Sequence, residues 1–314
     1  MAVQRGIIVA LLLAATVAAA GPAHAADPSC GSAITADTTL TADLACTGDA
    51  LIVTASGITL DLGGHTVSGP GSTFGGPVGV RLVPGAPGVR VRTGHVQGFW
   101  RGVSAPAGAD RTDMSGLTLA RNGFGISLLA SHSVAHGNRF TGNGVAAEMR
   151  GLGNRFQGNA LLTNEAGLLA FQAGDATILG NSIQGDGSHD PGIAVGLGAR
   201  RVRVAGNSVS GTEDGSGIQV LAGGSDVDIS HNHVFGNLDG ISLFNSDARV
   251  VGNVVFSNLD DGIDVQEGGR PVIGANTAVR NGDLGINAPG AADAGGNRAA
   301  GNGNPLQCRG VACT

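Results

Sequence analysis

The chain has 314 residues and a net charge of −6, with 24 acidic residues against 18 basic ones, all arginine. That sign argues against nucleic acid as a partner, and the absence of Lys and Tyr excludes lysine bases, lysine Schiff bases and tyrosine acids. Aromatic residues are only 3% and glycines number 56, yet hydrophobic residues at 42% are too many for a disordered chain.

Residues 1–25 carry Arg5, an apolar run over Gly6–Ala20 and the small-residue triplet Ala23-His24-Ala25, the layout of an export signal cleaved before Ala26. Gly21-Pro22 interrupts the run too early for a membrane span, so the mature protein is expected to be secreted and free of the membrane. Export implies an oxidising compartment, in which the four cysteines should pair.

Residues 26–56, with Cys30 and Cys46, are expected to form an amino-terminal cap. Residues 57–302 repeat. Asn-x-apolar recurs at Asn138, Asn154, Asn181, Asn207, Asn232, Asn253 and Asn276, and a Gly precedes an aliphatic residue at Val80, Val103, Ile126, Val145, Leu168, Ile193, Ile218, Ile241, Ile263 and Ile286. Between them lie alternating runs such as Ile241-Ser242-Leu243 and Ile263-Asp264-Val265, the period-2 pattern of strands with one buried face. Strands recurring at this spacing, with no helix-length insert for a crossover, stack on themselves. The expected fold is an all-β, single right-handed parallel β-helix solenoid of about ten coils. Its longest coils are expected at Gly185–Gly192 and Gly211–Gly217, where the steps lengthen.

The entry run Gly57-Ile58-Thr59-Leu60-Asp61-Leu62-Gly63-Gly64-His65-Thr66-Val67-Ser68-Gly69 and the Gly-Asn-x-apolar units that follow resemble the pectate-lyase-like superfamily of right-handed parallel β-helix proteins, in the style of secreted actinobacterial members. That resemblance covers roughly Ile52 to Asn302. It implies a fold shared by polysaccharide lyases, glycoside hydrolases, uronan epimerases, phage tailspikes, adhesins and a copper-delivery protein, so the chemistry must be argued from the site.

A disulfide-bearing tail, 303–314, ends the chain with Cys308 and Cys313. Ten coils at about 4.8 Å hold the ends roughly 50 Å apart, so the expected bonds are local, Cys30–Cys46 and Cys308–Cys313.

The candidate chemistry is acidic. Glu165, Asp190, Asp214, Asp239, Asp261 and Asp283 stand just ahead of the Gly-aliphatic column on successive coils, densest around Asp239, Asp260, Asp261 and Asp264. Stacked carboxylates repel unless solvent spreads them or a cation joins them, although Asp-Gly is also ordinary turn chemistry. Asp239, Asp261 and Asp264 are the candidate general acid and base, and equally candidate calcium ligands. Arg249, in an outward column of Thr177, Arg203, Asp228 and Val272, is the candidate base or carboxylate clamp of a lyase, against a structural reading as cross-strand charge pairing. His231 and His233 straddle Asn232 as a further pair, and His189-Asp190-Pro191 resembles the active-site motif of β-helix uronan epimerases, in a different order and without its Tyr. The Asn column itself reads as structural amide stacking.

Two functions compete. One is a secreted enzyme on polysaccharide, a lyase, hydrolase or epimerase of acidic glycans. The other is a non-catalytic extracellular or cell-surface module that binds glycan or has a structural role. Either way the expected partner is a polysaccharide or cell-wall glycan, and the expected state is a monomer.

Overall fold

In the computed structural model, residues 27–185 and 190–314 are described; the expected export signal and His189 lie outside them. The described residues form strands and turns with no α-helix, wound as a right-handed parallel β-helix. Each regular coil carries three short strands separated by corners. The first face is a sheet of 13 parallel strands running from Ser32–Ile34 to Cys308–Arg309. Two further faces follow it in every coil, for example Arg249–Val251 and then Val254–Phe256.

The alternating sequences produce this directly. In Ile263–Val265 the two aliphatic residues are buried and Asp264 between them is not. Inward residues then stack coil on coil: Val80, Val103, Ile126, Ala147, Leu168, Ile193, Ile218, Ile241, Ile263 and Ile286 form one buried column. Each large aliphatic member contributes about 1.5–3 kcal/mol of hydrophobic stabilisation. Phe140 and Phe156 fill the interior from the other two faces, with ring centroids 5.7 Å apart.

The register corrects the repeat in four places. There are about twelve turns, not ten, because Ser32–Ile34 and Leu51–Val53 extend the first face at one end and Cys308–Arg309 extends it at the other. Val145 pairs with Phe124 and lies outside the aliphatic column, whose true member is Ala147, paired with Ile126 and Leu168. Asn154 occupies a different corner from Asn138, whose neighbour is Asn159. The coils that contain 185–192 and 211–217 run to 25 residues, from Leu168 to Ile193 and from Ile193 to Ile218, with 186–189 outside the described residues. The longest coil is nevertheless Leu51 to Val80, at 29 residues, where 69–77 loops out.

Corners are held by asparagine. Asn138, Asn159, Asn181, Asn207, Asn232, Asn253, Asn276 and Asn297 form a ladder in which each backbone N–H and each Nδ2 donates to the next residue's Oδ1, at 2.9–3.2 Å. The residue before each rung is left-handed, with φ of 53 to 73°. That is why Gly-Asn recurs: glycine adopts this corner without strain, and the buried amide satisfies the backbone groups the corner leaves unpaired.

Disulfides close the ends as expected, Cys30–Cys46 and Cys308–Cys313, with Cα atoms 5.6 and 6.2 Å apart.

Candidate functional site

A second asparagine ladder, Asn237, Asn258, Asn281 and Asn302, lines the corner that leads into the first face. Two residues beyond its first rung is Asp239, and two and three beyond its second are Asp260 and Asp261. The ladder therefore fixes the turn from which the acids project. Gly217 donates to the Asp239 carbonyl, Gly240 to that of Asp261, and Gly262 to that of Leu284, so Asp239 and Asp261 occupy one position on successive coils.

Asp239 and Asp261 are only 8% and 6% exposed, which puts two carboxyls where ionisation is costly. Asp264 points outward from the adjoining strand, between Ser242 and Asn287 in the pairing register. Asn287 Nδ2 bridges the acids, donating to Asp261 Oδ2 at 3.1 Å and to Asp264 Oδ1 at 3.0 Å. The Leu284 N–H also donates to Asp261 Oδ1 at 2.7 Å.

Burial, followed by the charge of Asp264, pushes Asp239 up to about 7. Burial likewise pushes Asp261 up to about 6, opposed by its Leu284 and Asn287 hydrogen bonds. Asp264 is raised as well, chiefly by burial. All three carboxyls are thus held above the ordinary carboxylate range and titrate as a coupled group.

Raised carboxyls have a defined stability signature. The fold prefers their protonated forms, so this contribution is present in full below about pH 4 and is lost as pH rises towards 7. The carboxylates with lowered pKa, such as Asp61 and Asp293, act in the opposite direction and have finished titrating before that window. For Asp239 alone the loss is on the order of 4 kcal/mol at most. Thermal melts of Asp239→Asn should therefore gain on wild type as pH is raised from 5 to 8; a constant difference across that range would contradict the buried-acid assignment.

The outward column of the first face runs Arg81, Ser104, Ser127, Glu148, Leu169, Ala194, Gln219, Ser242, Asp264, Asn287. Ser127, Ala194 and Ser242 face outward yet are almost wholly covered by their neighbours, so this column is recessed on the first face. Ser242 Oγ and Asn287 Oδ1, on either side of Asp264, are buried without a hydrogen-bond partner in the protein.

Of the residues singled out by sequence, the structure brings Asp239, Asp261 and Asp264 into one cluster. The carboxylates close enough to share one cation are a different set. Among the described residues, Asp260, Asp261 and Asp283 offer oxygens all within 4.8 Å of one another. The reason is register: Asp283 donates its N–H to the Asp260 carbonyl and stacks on Asp260, while Asp239 stacks on Asp261. Arg249 lies on the second face, exposed, with Nη1 3.3 Å from Asp228 Oδ1. It is a member of a charge ladder with Asp228 and Arg203, on a face the acids do not share. His231 and His233 are both exposed.

Sequence reasoning missed Glu148. It is 8% exposed, in the outward column, accepts from Ser127 Oγ at 2.5 Å, and lies 4.0 Å from Arg101 and 3.6 Å from Arg150. The Gly-Val pattern at Val145 points to Ala146 as the outward neighbour, whereas the inward residue is Ala147, two positions on, which places Glu148 on the outward side.

This arrangement is a recessed outward column on the first face of an all-β solenoid, with buried acids beside one end. The chain belongs to the right handed beta helix region family, whose model matches residues 102–234 and 153–302. A comparison with curated proteins gives no match. Among solved structures, the chain is similar to the catalytic unit of a thermostable GH87 α-1,3-glucanase from Streptomyces thermodiastaticus, at 16% identity and a TM-score of 0.61 over 84% of this chain. It spans 61% of that unit, under two thirds of its length. It is also similar to pectate lyase Pel9A, at 16% identity and a TM-score of 0.52, covering 82% of this chain and 72% of that one. A third is a mutant of the periplasmic alginate epimerase AlgG, at 14% identity and a TM-score of 0.55, covering 81% of this chain and 75% of that one. At these identities the likeness is one of fold.

Proposed function

We propose that this chain is a secreted glycoside hydrolase that cleaves a polysaccharide lying along the first face, with Asp239 as general acid and Asp261 as general base. The observation that carries this reading is geometric: Asp239, Asp261 and Asp264 gather on adjacent coils beside the outward column of the first face, with Asp239 and Asp261 buried deeply enough to hold both above the ordinary carboxylate range. Asp239 gives its proton to the departing glycosidic oxygen as the anomeric C–O bond breaks. Water adds to the anomeric carbon, and its proton passes to Asp261, which the Leu284 N–H and the Asn287 amide hold in place. Asp264 shares Asn287 with Asp261, and its negative charge favours keeping the proton on Asp239.

Fold neighbours that include a glucanase, a pectate lyase and an alginate epimerase support a polysaccharide as the partner. Two terminal disulfides support an oxidising, extracellular setting. Hydrolysis is favoured over elimination because Arg249, the candidate base or carboxylate clamp of a lyase, is engaged with Asp228 on another face. A calcium ion, if bound, would be held by Asp260, Asp261 and Asp283, where it would keep Asp261 ionised and brace the acidic turn.

The test is product chemistry. The purified protein is incubated with acidic and neutral polysaccharides, with and without calcium, and both reducing ends and unsaturated uronates are followed. Reducing ends without unsaturated product are expected. Unsaturated product would make it a lyase, and binding without any product would make it a glycan-binding module.

A further inference from the structure

The outward column does not end at the acids. Seven strand pairings from Asp264 it reaches Ser104, on a cleft of about 410 Å³ lined also by Arg81, Trp100 and Arg101, with Val78 and Pro106 among its walls. At the strand spacing of a sheet this is roughly 34 Å from the acid cluster. Both ends share one face, since Arg81 and Ser104 belong to the outward column that contains Asp264.

Aromatic residues are scarce in this chain, yet three meet here. Phe74, carried out by the loop of the longest coil and 89% exposed, packs on Trp100 with centroids 4.7 Å apart. Trp100 meets Phe124 edge-on at 5.2 Å. The guanidinium of Arg101 lies 5.8 Å from the Trp100 ring and 5.6 Å from that of Phe124. Arg81 is fixed by Asp49 at 2.5 Å, and Arg101 is steadied by Glu148 at 4.0 Å. The charged residues lining the cleft are these two arginines, in a chain of net charge −6.

We propose that this cleft is a distal subsite for a carboxylated sugar unit of the polysaccharide, with the Trp100 cluster meeting the sugar ring and Arg81 and Arg101 pairing with its carboxylate. Aromatic rings offer an apolar, rigid surface to a sugar face, and guanidinium is the side chain best matched to a carboxylate. The subsite rests on the reading of the first face as a glycan-binding surface, and it names the substrate class as an acidic polysaccharide long enough to reach both ends.

Trp100 is the single tryptophan of the chain, so its fluorescence reports this cleft alone. Titration with trigalacturonate or trimannuronate, too short to reach both ends, should change the emission saturably, and a neutral maltotriose control should not. Arg101→Gln and Arg81→Gln should each weaken the response about tenfold or more, raised salt should weaken it further, and Asp261→Asn should leave it intact. An emission unmoved by either acidic trisaccharide, or moved equally by the neutral one, overturns the subsite. Loss of the response in Asp261→Asn also overturns it, by placing the binding at the acids. A retained response in a protein that releases no product refutes the hydrolase and leaves the subsite standing.

Discussion

Replacing Asn253 by alanine is expected to destabilise the central coils by about 4 kcal/mol or more, enough to unfold a large fraction of a marginally stable protein. Asn253 is wholly buried, and its amide does four jobs. Oδ1 accepts from the backbone N–H and the Nδ2 of Asn232, at 2.9 and 3.0 Å. Nδ2 donates to the Ile229 carbonyl at 2.9 Å and to Asn276 Oδ1 at 3.0 Å. Alanine leaves polar groups on both neighbouring coils buried and unpaired, each costing about 1–3 kcal/mol. Leucine should do no better, since volume does not replace hydrogen bonds here. Chemical denaturation of Asn253→Ala checks this; a loss under about 1 kcal/mol would show that the ladder is ornamental and that hydrophobic stacking alone holds the corner. In a solenoid, where each coil relies on its neighbours, the damage should spread outward from that rung.

The ladder also explains how far the sequence could be read. Glycine before asparagine is dictated by a left-handed corner followed by a buried amide, so it repeats visibly wherever the corner repeats. The aliphatic column from Ile193 to Ile286 repeats equally visibly, and the register confirms every pairing in it. Reading failed where two local patterns looked alike. Gly144-Val145 imitates the start of a first-face strand, but the inward residue is the small Ala147, which carries little hydrophobic signal of its own. That shift of two residues hid Glu148. Asn154 imitates a rung of the ladder while belonging to another corner, because one coil holds more than one asparagine-bearing turn.

The acidic cluster was legible as a concentration of carboxyls, and Asp239, Asp261 and Asp264 do gather. Which of them could share a cation was not legible. That depends on whether Asp283 stacks on Asp260 or on Asp261, a difference of one residue set by backbone hydrogen bonding across coils. The Trp100 cleft was beyond reach for another reason: Phe74 reaches Trp100 from the loop that lengthens the coil ahead of Val80, a path that the repeat spacing does not specify.

Asp239→Asn is expected to lower kcat/KM on the polysaccharide substrate by roughly 10²–10⁴-fold, the contribution of a positioned general acid. The amide keeps the shape of the carboxylic acid and cannot supply its proton. Because Asn carries no charge to desolvate, the same variant should melt no lower than wild type at pH 8, which separates lost chemistry from lost fold. Arg249→Gln, on the second face, should stay within about twofold of wild type if hydrolysis is the reaction, whereas a lyase using Arg249 as base would lose most of its activity. The decisive measurement is the initial rate of reducing-end release by wild type and Asp239→Asn, side by side, from pH 5 to pH 8. Wild type should release reducing ends without unsaturated product, its rate greatest between about pH 6 and 7, falling below that range as Asp261 takes up a proton and above it as Asp239 gives up its own, and the variant should be at least about a hundredfold slower at the wild-type optimum. An Asp239→Asn protein as active as wild type, or a wild-type rate that climbs steadily through pH 8, would contradict the assignment of this cluster as the hydrolytic centre.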